Sequence, residues 1–111
     1  FISQNNLMEI AFFDEKVEIF VAKLEKPTIA KVLRTIDLLE RFGNQLGMPH
    51  SKNINHNLFE LRIRGQQEIR LIYAFHGNKA VILHGFLKKS QKIPQKELAV
   101  AQQKLLALDK I

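Results

Sequence analysis

Two hydrophobic periods alternate along this chain of 111 residues. Leu7 to Phe13 is an apolar run short enough for one strand. Asp14 then offers a side-chain cap to a helix running to about Lys26, on which Val17, Phe20, Val21 and Leu24 recur at helical spacing and mark a buried face. Pro27 ends that helix and suits the first turn of the next. Ile29, Val32, Leu33, Ile36, Leu38 and Leu39 give this second helix a broad apolar stripe, and Gly43 supplies a left-handed stop, so the two helices are expected to form an antiparallel hairpin. Asn44 to Asn57 is polar, holds Gly47 and Pro49, and reads as a long loop. Beyond it the period becomes two. Phe59, Leu61 and Ile63 share one side of a strand from Leu58 to Arg64, with Glu60, Arg62 and Arg64 on the other. Glu68 to Phe75 sets Ile69, Leu71, Tyr73 and Phe75 opposite Arg70, Ile72 and Ala74. Gly65-Gln66-Gln67 and His76-Gly77-Asn78 are the turns of a meander whose third strand is Lys79 to Leu87. Pro94 opens a last helix with Leu98, Ala101, Leu105 and Leu108 on one side.

The order β-α-α-β-β-β-α predicts an α+β fold: a small, mainly antiparallel sheet with an N-terminal helical hairpin and a C-terminal helix. The helices are expected on one face, leaving the arginine-bearing face partly wet. Strict alternation puts Ala80, Ile82, His84 and Phe86 on one side of the third meander strand, without saying which. No apolar stretch approaches the ~20 residues of a membrane span, and no membrane partner is expected. The first residue is Phe1; a domain covering residues 8–111 is expected to start near Met8, with residues 1–7 as upstream sequence.

Charge changes the picture more than composition does. The formal net charge is +6, yet residues 1–49 sum to −1 and residues 50–111 to +7. A surplus confined to the second half favours a polyanionic partner, nucleic acid above all, through Coulomb attraction and counterion release. The alternative is a solvated, solubilising face. Arg62, Arg64 and Arg70 belong to the polar side of adjacent strands, and a short turn brings Arg64 and Arg70 together. Glu60 and Glu68 are the internal partners that pair would accept, and phosphate is the external one. Lys88, Lys89, Lys92 and Lys96 follow the third meander strand, Lys96 at a helix start where a cation opposes the macrodipole. His84 is a neutral-range proton carrier inside an apolar strand, where a packed core histidine is the ordinary outcome. The histidines match no zinc spacing and cysteine is absent, so neither a metal nor another cofactor is expected, and a reducing, cytoplasmic setting fits. A Gly-rich phosphate loop and a nucleophile elbow are both missing.

Two stretches, LFELRIRGQQEIRLIYAF and VILHGFLKKSQKIPQKEL, resemble the RelE/ParE toxin superfamily, and within it the HigB-like, phage-related branch. The matching residues are His50-Ser51-Lys52, Leu58 to Arg62, Ile69 to Tyr73, and His84 to Pro94 with Glu97. The resemblance covers Met8 to the C-terminus and agrees with the predicted element order. It implies a toxin of a bacterial type II toxin–antitoxin pair, an endoribonuclease that cuts mRNA on the ribosome and is neutralised by a helix-turn-helix antitoxin. Metal-free cleavage by the substrate's 2′-hydroxyl needs a base, an acid and cations for the charge developing on phosphorus. The resemblance points to Lys52, Arg64, Arg70, His84, Lys88 and Lys89 for those roles, and to Arg62, Phe86, Lys92 and Lys96 for RNA contact. Two departures stand out. Many relatives carry a second lysine where this chain has Asn53, and some use a late tyrosine where this chain has only Tyr73, on an apolar strand side. The competing readings are a ParE-type toxin that poisons gyrase and a non-catalytic basic domain that binds nucleic acid or a partner protein.

Overall fold

The structure is a computed structural model and describes residues 7–110. Residues 1–6, most of the expected upstream segment, lie outside it. The elements are β1 (Glu9–Phe12), α1 (Glu15–Ala22), α2 (Lys26–Phe42), a short 3-10 turn (Gly43–Gln45), β2 (Ser51–Asn55), β3 (Leu58–Ile63), β4 (Ile69–His76), β5 (Lys79–Leu87) and α3 (Gln95–Asp109). The five strands form one sheet in the order β1-β5-β4-β3-β2, with β1 parallel to β5 and the other pairs antiparallel. The α+β fold class read from the pattern is the one observed.

One strand was not expected. Ser51–Asn55 lies inside the segment read as loop. It pairs with β3 through a tight connection in which His56 takes a positive φ of 38°. Its pairing slips between Asn53 and Asn55, leaving Ile54 as an irregularity. Asn53 Nδ2 donates to the carbonyls of His56 and Leu58, and the Asn57 amide both donates to and accepts from the Phe75 backbone. Side-chain amides thus close a strand that hydrophobicity does not announce.

The helices sandwich the sheet, contrary to the expectation that all would share one face. On one side Val17, Val21, Val32 and Leu39 pack on Leu61, Ile63, Ile69, Leu71, Tyr73, Ala80 and Ile82. Within α2 the buried stripe is narrower than the sequence suggested. Thr28, Val32, Thr35 and Leu39 face inward while Leu33 is exposed, and the Thr35 hydroxyl is satisfied by donating to the Lys31 carbonyl. On the other side Ala101 and Leu108 of α3, flanked by Leu98 and Leu105, cover Leu58, Ile72, Ala74, Val81, Leu83 and Phe86. An amphipathic stripe says that a helix must be buried, not against which face.

A β-bulge resolves what alternation left open. Tyr73 lies opposite Ile82 but Ile72 lies opposite His84, so Leu83 is the extra residue in β5. Ala80 and Ile82 therefore face the α1–α2 layer, whereas His84 and Phe86 face the α3 side. The four do not share one face as strict alternation required. Gly85 falls between, and a Cβ there would stand 2.6 Å from Phe20 Cδ2 and 2.8 Å from Leu71 Cδ2.

Gly85→Ala is accordingly expected to destabilise the fold by about 1–3 kcal/mol through overpacking. A urea-melt midpoint equal to that of the parent chain would show that this backbone approach is not limiting.

Candidate RNA-binding face

The side of the sheet carrying α3 is divided along its strands. Toward the His76–Gly77 end it is apolar and lies under the helix. Toward the β3–β4 turn it is cationic and open. Cross-strand register builds this half in rows. Lys52, Glu60, Ile72 and His84 lie across one row, and Arg62, Arg70 and Phe86 across the next. Arg62, not Arg64, is thus the neighbour of Arg70. The connection from Arg64 to Glu68 is longer than a tight turn, and it places Arg64 beyond the last paired residues, Ile63 and Ile69.

Two contiguous depressions occupy the open half. One, of about 330 Å³, is lined by Lys52, Asn53, Glu60, Arg62, Lys88 and Lys92 among others. The second, of about 460 Å³, is lined by Arg62, Arg64, Glu68, Arg70, Lys88 and Lys89 with Ser90 and Gln91. Arg62 and Lys88 line both. Together the two hollows gather seven cations around two carboxylates, the charge balance of an anion-binding surface.

The floor is held by the protein's own ion pairs. Glu60 is 4% exposed and Arg70 2% exposed. Glu60 Oε1 lies 3.5 Å from Arg62 Nε and 3.8 Å from Arg70 Nε. Arg70 also reaches Glu68 at 3.4 Å and donates to the Ile69 carbonyl. The internal carboxylates, rather than a phosphate, are therefore the partners of Arg70, which corrects the expectation that it is an open phosphate ligand. Both Nε atoms and Glu60 Oε2 are buried without a hydrogen bond among the described residues, so the charges are neutralised pairwise but not fully bonded. Burial pushes the Arg70 guanidinium below the ordinary arginine value, and the charge on Arg62 adds to this. Glu60 and Glu68 oppose both.

Lys88 is half-buried at the junction of the two hollows, and its backbone N–H donates to the Glu68 carbonyl. Burial first, then Arg70 and Arg62, lowers its ammonium pKa, while Glu60 and Glu68 pull the other way. Lys89 and Lys92 are exposed on the rims. Lys52 projects from β2, the strand the sequence reading had left as loop.

The remaining sequence candidates lie elsewhere. Phe86 is 4% exposed and packed under α3, so it is not available to stack on a base. Its ring lies against that of His84. His84 Nε2 lies 2.6 Å from Glu97 Oε1 in the first turn of α3. It lines a separate hollow with Phe20, Val100 and Lys104, and is not brought into the cationic depressions. Lys96 is exposed and lines neither of them. Tyr73 is buried, its hydroxyl 2.5 Å from Ser51 Oγ, and burial pushes it above the ordinary tyrosine value; it is a core residue. Asn53, at the position of the missing lysine, spends its amide on the β2–β3 connection. Sequence reasoning named Glu60 as an internal partner for Arg64 and Arg70, but its burial between Arg62 and Arg70 was not read from the pattern.

Among the described residues no group of three or more His, Asp or Glu is placed to hold a metal, and no helix is long and apolar enough to cross a membrane.

Arg70→Ala leaves the buried Glu60 carboxylate with a single distant partner. It is expected to cost about 3–5 kcal/mol, the range for breaking a buried pair. Denaturant titration followed by circular dichroism measures this, and a parent-like midpoint would make Arg70 a free ligand rather than a structural ion.

A family model described as phage-derived protein Gp49-like (DUF891) matches residues 20–106, from within α1 to within α3. This family is associated with RelE-like toxins of toxin–antitoxin systems. No curated protein matches the chain.

Proposed function

The chain belongs to the Gp49-like family of phage-derived proteins, and from that membership and its cationic face we propose that it is the toxin of a type II toxin–antitoxin pair. In this reading it is a HigB-like, ribosome-dependent mRNA endoribonuclease, countered by a helix-turn-helix antitoxin. The observation that carries the reading is Lys88: a lysine with a depressed pKa, set between two hollows rimmed by Lys52, Arg62, Arg64, Lys89 and Lys92.

The chemistry follows from those side chains. A phosphodiester seated over Arg62 has its non-bridging oxygens within the reach of guanidinium and ammonium donors. The neutral amine of Lys88 takes the proton of the 2′-hydroxyl. The 2′-oxygen bonds to phosphorus in line as the bond to the 5′-oxygen breaks. The ammonium of Lys52, across the hollow, gives that leaving oxygen its proton. The products are a 2′,3′-cyclic phosphate and a 5′-hydroxyl, with one proton moved from nucleophile to leaving group. Arg62, Arg64 and Lys89 offset the charge developing on the phosphoryl oxygens. Arg70 and Glu60 act from below, fixing Arg62. His84 takes no part in the relay. Four residue steps of extended chain separate it from Lys88, about 13 Å at ~3.3 Å per residue.

Only the neutral amine accepts a proton, so the rate of cleavage should rise with pH. Because the Lys88 pKa is lowered, the rise should level off below the ordinary lysine value. Lys88→Ala should lower cleavage by about 10²–10⁴-fold, the range for loss of a general base, and Lys88→Arg should abolish the basic limb while keeping RNA affinity. Primer extension on ribosomes programmed with a defined mRNA reads both.

Induction of the chain without its antitoxin should arrest growth and produce new mRNA 5′ ends inside codons. Intact mRNA with cleaved, gyrase-linked DNA would replace this reading by the gyrase one. Harmless expression of the folded chain would leave a non-catalytic binding domain. Asn53→Lys is not expected to change activity cleanly in such a test, because it removes two hydrogen bonds from the β2–β3 connection.

A further inference from the structure

A hollow of about 520 Å³ belongs to neither depression of the cationic face. It lies between α2, the start of β2 and the end of β3, on the opposite side of the sheet. Its floor is Thr35, Leu38, Pro49 and Ile63. Its rim carries Lys31, Arg34 and Arg41 from one side of α2, at helical spacing, and Arg62, Arg64 and His50 from the sheet. Asp37 is the only carboxylate in the lining. Arg34 and Arg41 are exposed and enter no ion pair among the described residues, whereas Lys31 donates to the Arg64 carbonyl. Arg62 and Arg64 line this hollow and the cationic face alike, so one band of positive charge runs around the end of β3 from one face of the sheet to the other.

Resting on the RNA reading above, we infer that the α2 hollow holds a second stretch of RNA phosphodiester backbone, outside the stretch that is cut. Continuity of charge is the argument. A polyanion bound at Lys88 and Arg62 passes Arg64 on its way to Arg34 and Arg41, with Asp37 the single carboxylate among the cations of that lining, and each phosphate it places there releases further counterions. The backbone is supplied either by the same strand or by a folded RNA beside it.

The test uses 2′-O-methyl RNA, which lacks the attacking hydroxyl, and fluorescence anisotropy across a salt series. The probes are single strands of about 4 and about 16 nucleotides, spanning the usual site sizes, and a duplex hairpin. For the double variant Arg34→Ala, Arg41→Ala, the slope of log affinity against log salt should become shallower by about 1.4 on the long strand or by about 1.8 on the hairpin. The short strand should change far less. Loss on the long strand identifies one continuous strand, and loss on the hairpin alone identifies a folded RNA; either supports the site. Asp37→Asn should tighten binding of the same probe. Parent-like RNA affinity of the double variant overturns the inference. So does unchanged RNA binding accompanied by lost binding of an oligo-glutamate peptide, which would assign the hollow to an acidic protein partner. Lys88→Ala and Lys92→Ala, which lie outside this hollow, are measured in parallel. If they too leave RNA affinity intact, the cationic-face reading falls. If they weaken it and the α2 pair does not, only the second site falls.

Discussion

A carboxylate buried between two arginines holds the working half of the sheet together. Glu60 lies in the same row as Lys52, two residues from Arg62 along β3 and diagonal to Arg70. Without it, four cations from adjacent strands would face one another across a few ångströms, and like charges so placed oppose strand pairing. With it, Arg70 is folded inward and stays there, while Arg62 is held upright at the meeting point of three hollows. The pairing is imperfect, since distances of 3.5 and 3.8 Å leave donors unbonded. A buried pair of this kind contributes little net stability; its effect is on where the charges stand.

That arrangement separates two tasks within one cluster. Arg70 and Glu60 are structural ions, almost wholly withdrawn from solvent. Arg62, Lys88 and the rim lysines line the open hollows. The same division runs through the HGF-KK string of β5. Gly85 makes room for Phe20, Phe86 fills the core under α3, and His84 ties the first turn of α3 to the sheet through Glu97. Only the lysines at its end face outward to the hollows. A motif read as chemistry is thus more than half packing.

The strands of the meander were legible because each has one side wholly buried, and burial enforces a period of two. Leu61, Leu71 and Tyr73 were assigned correctly for that reason. The fourth strand of the antiparallel run was not, because Ser51–Asn55 is an edge strand held by backbone pairing and asparagine amides, with little apolar content to show. The side taken by α3 was also hidden, since Ile72 and Ala74 read as occasional apolar residues beside Arg70, and the faces of Lys79 to Leu87 were unassigned. In the candidate site, cations named from the sequence line adjoining hollows, while the neighbour of Arg70 is not the one expected. Lys52, Arg62, Arg64, Lys88, Lys89 and Lys92 do converge. Pairing Arg70 with Arg64 failed because register depends on turn geometry, which Gly65-Gln66-Gln67 does not specify.

The single extra residue in β5 also decides a question of parity. From the bulge onward, even-numbered positions face α3 and the cationic hollows, and that is how Lys88 arrives beside Arg62 with Lys89 only on the rim. Removing Leu83, the extra residue, would restore strict alternation and leave His84, Phe86 and Lys88 on the α3 side, paired as before. Straightening the bulge with every residue kept would instead shift all positions beyond it by one, turning His84 and Phe86 toward α1, bringing Gly85 under α3 and exchanging the two lysines. The placement of the lysines therefore depends on where the extra residue is accommodated as much as on its neighbours' identity.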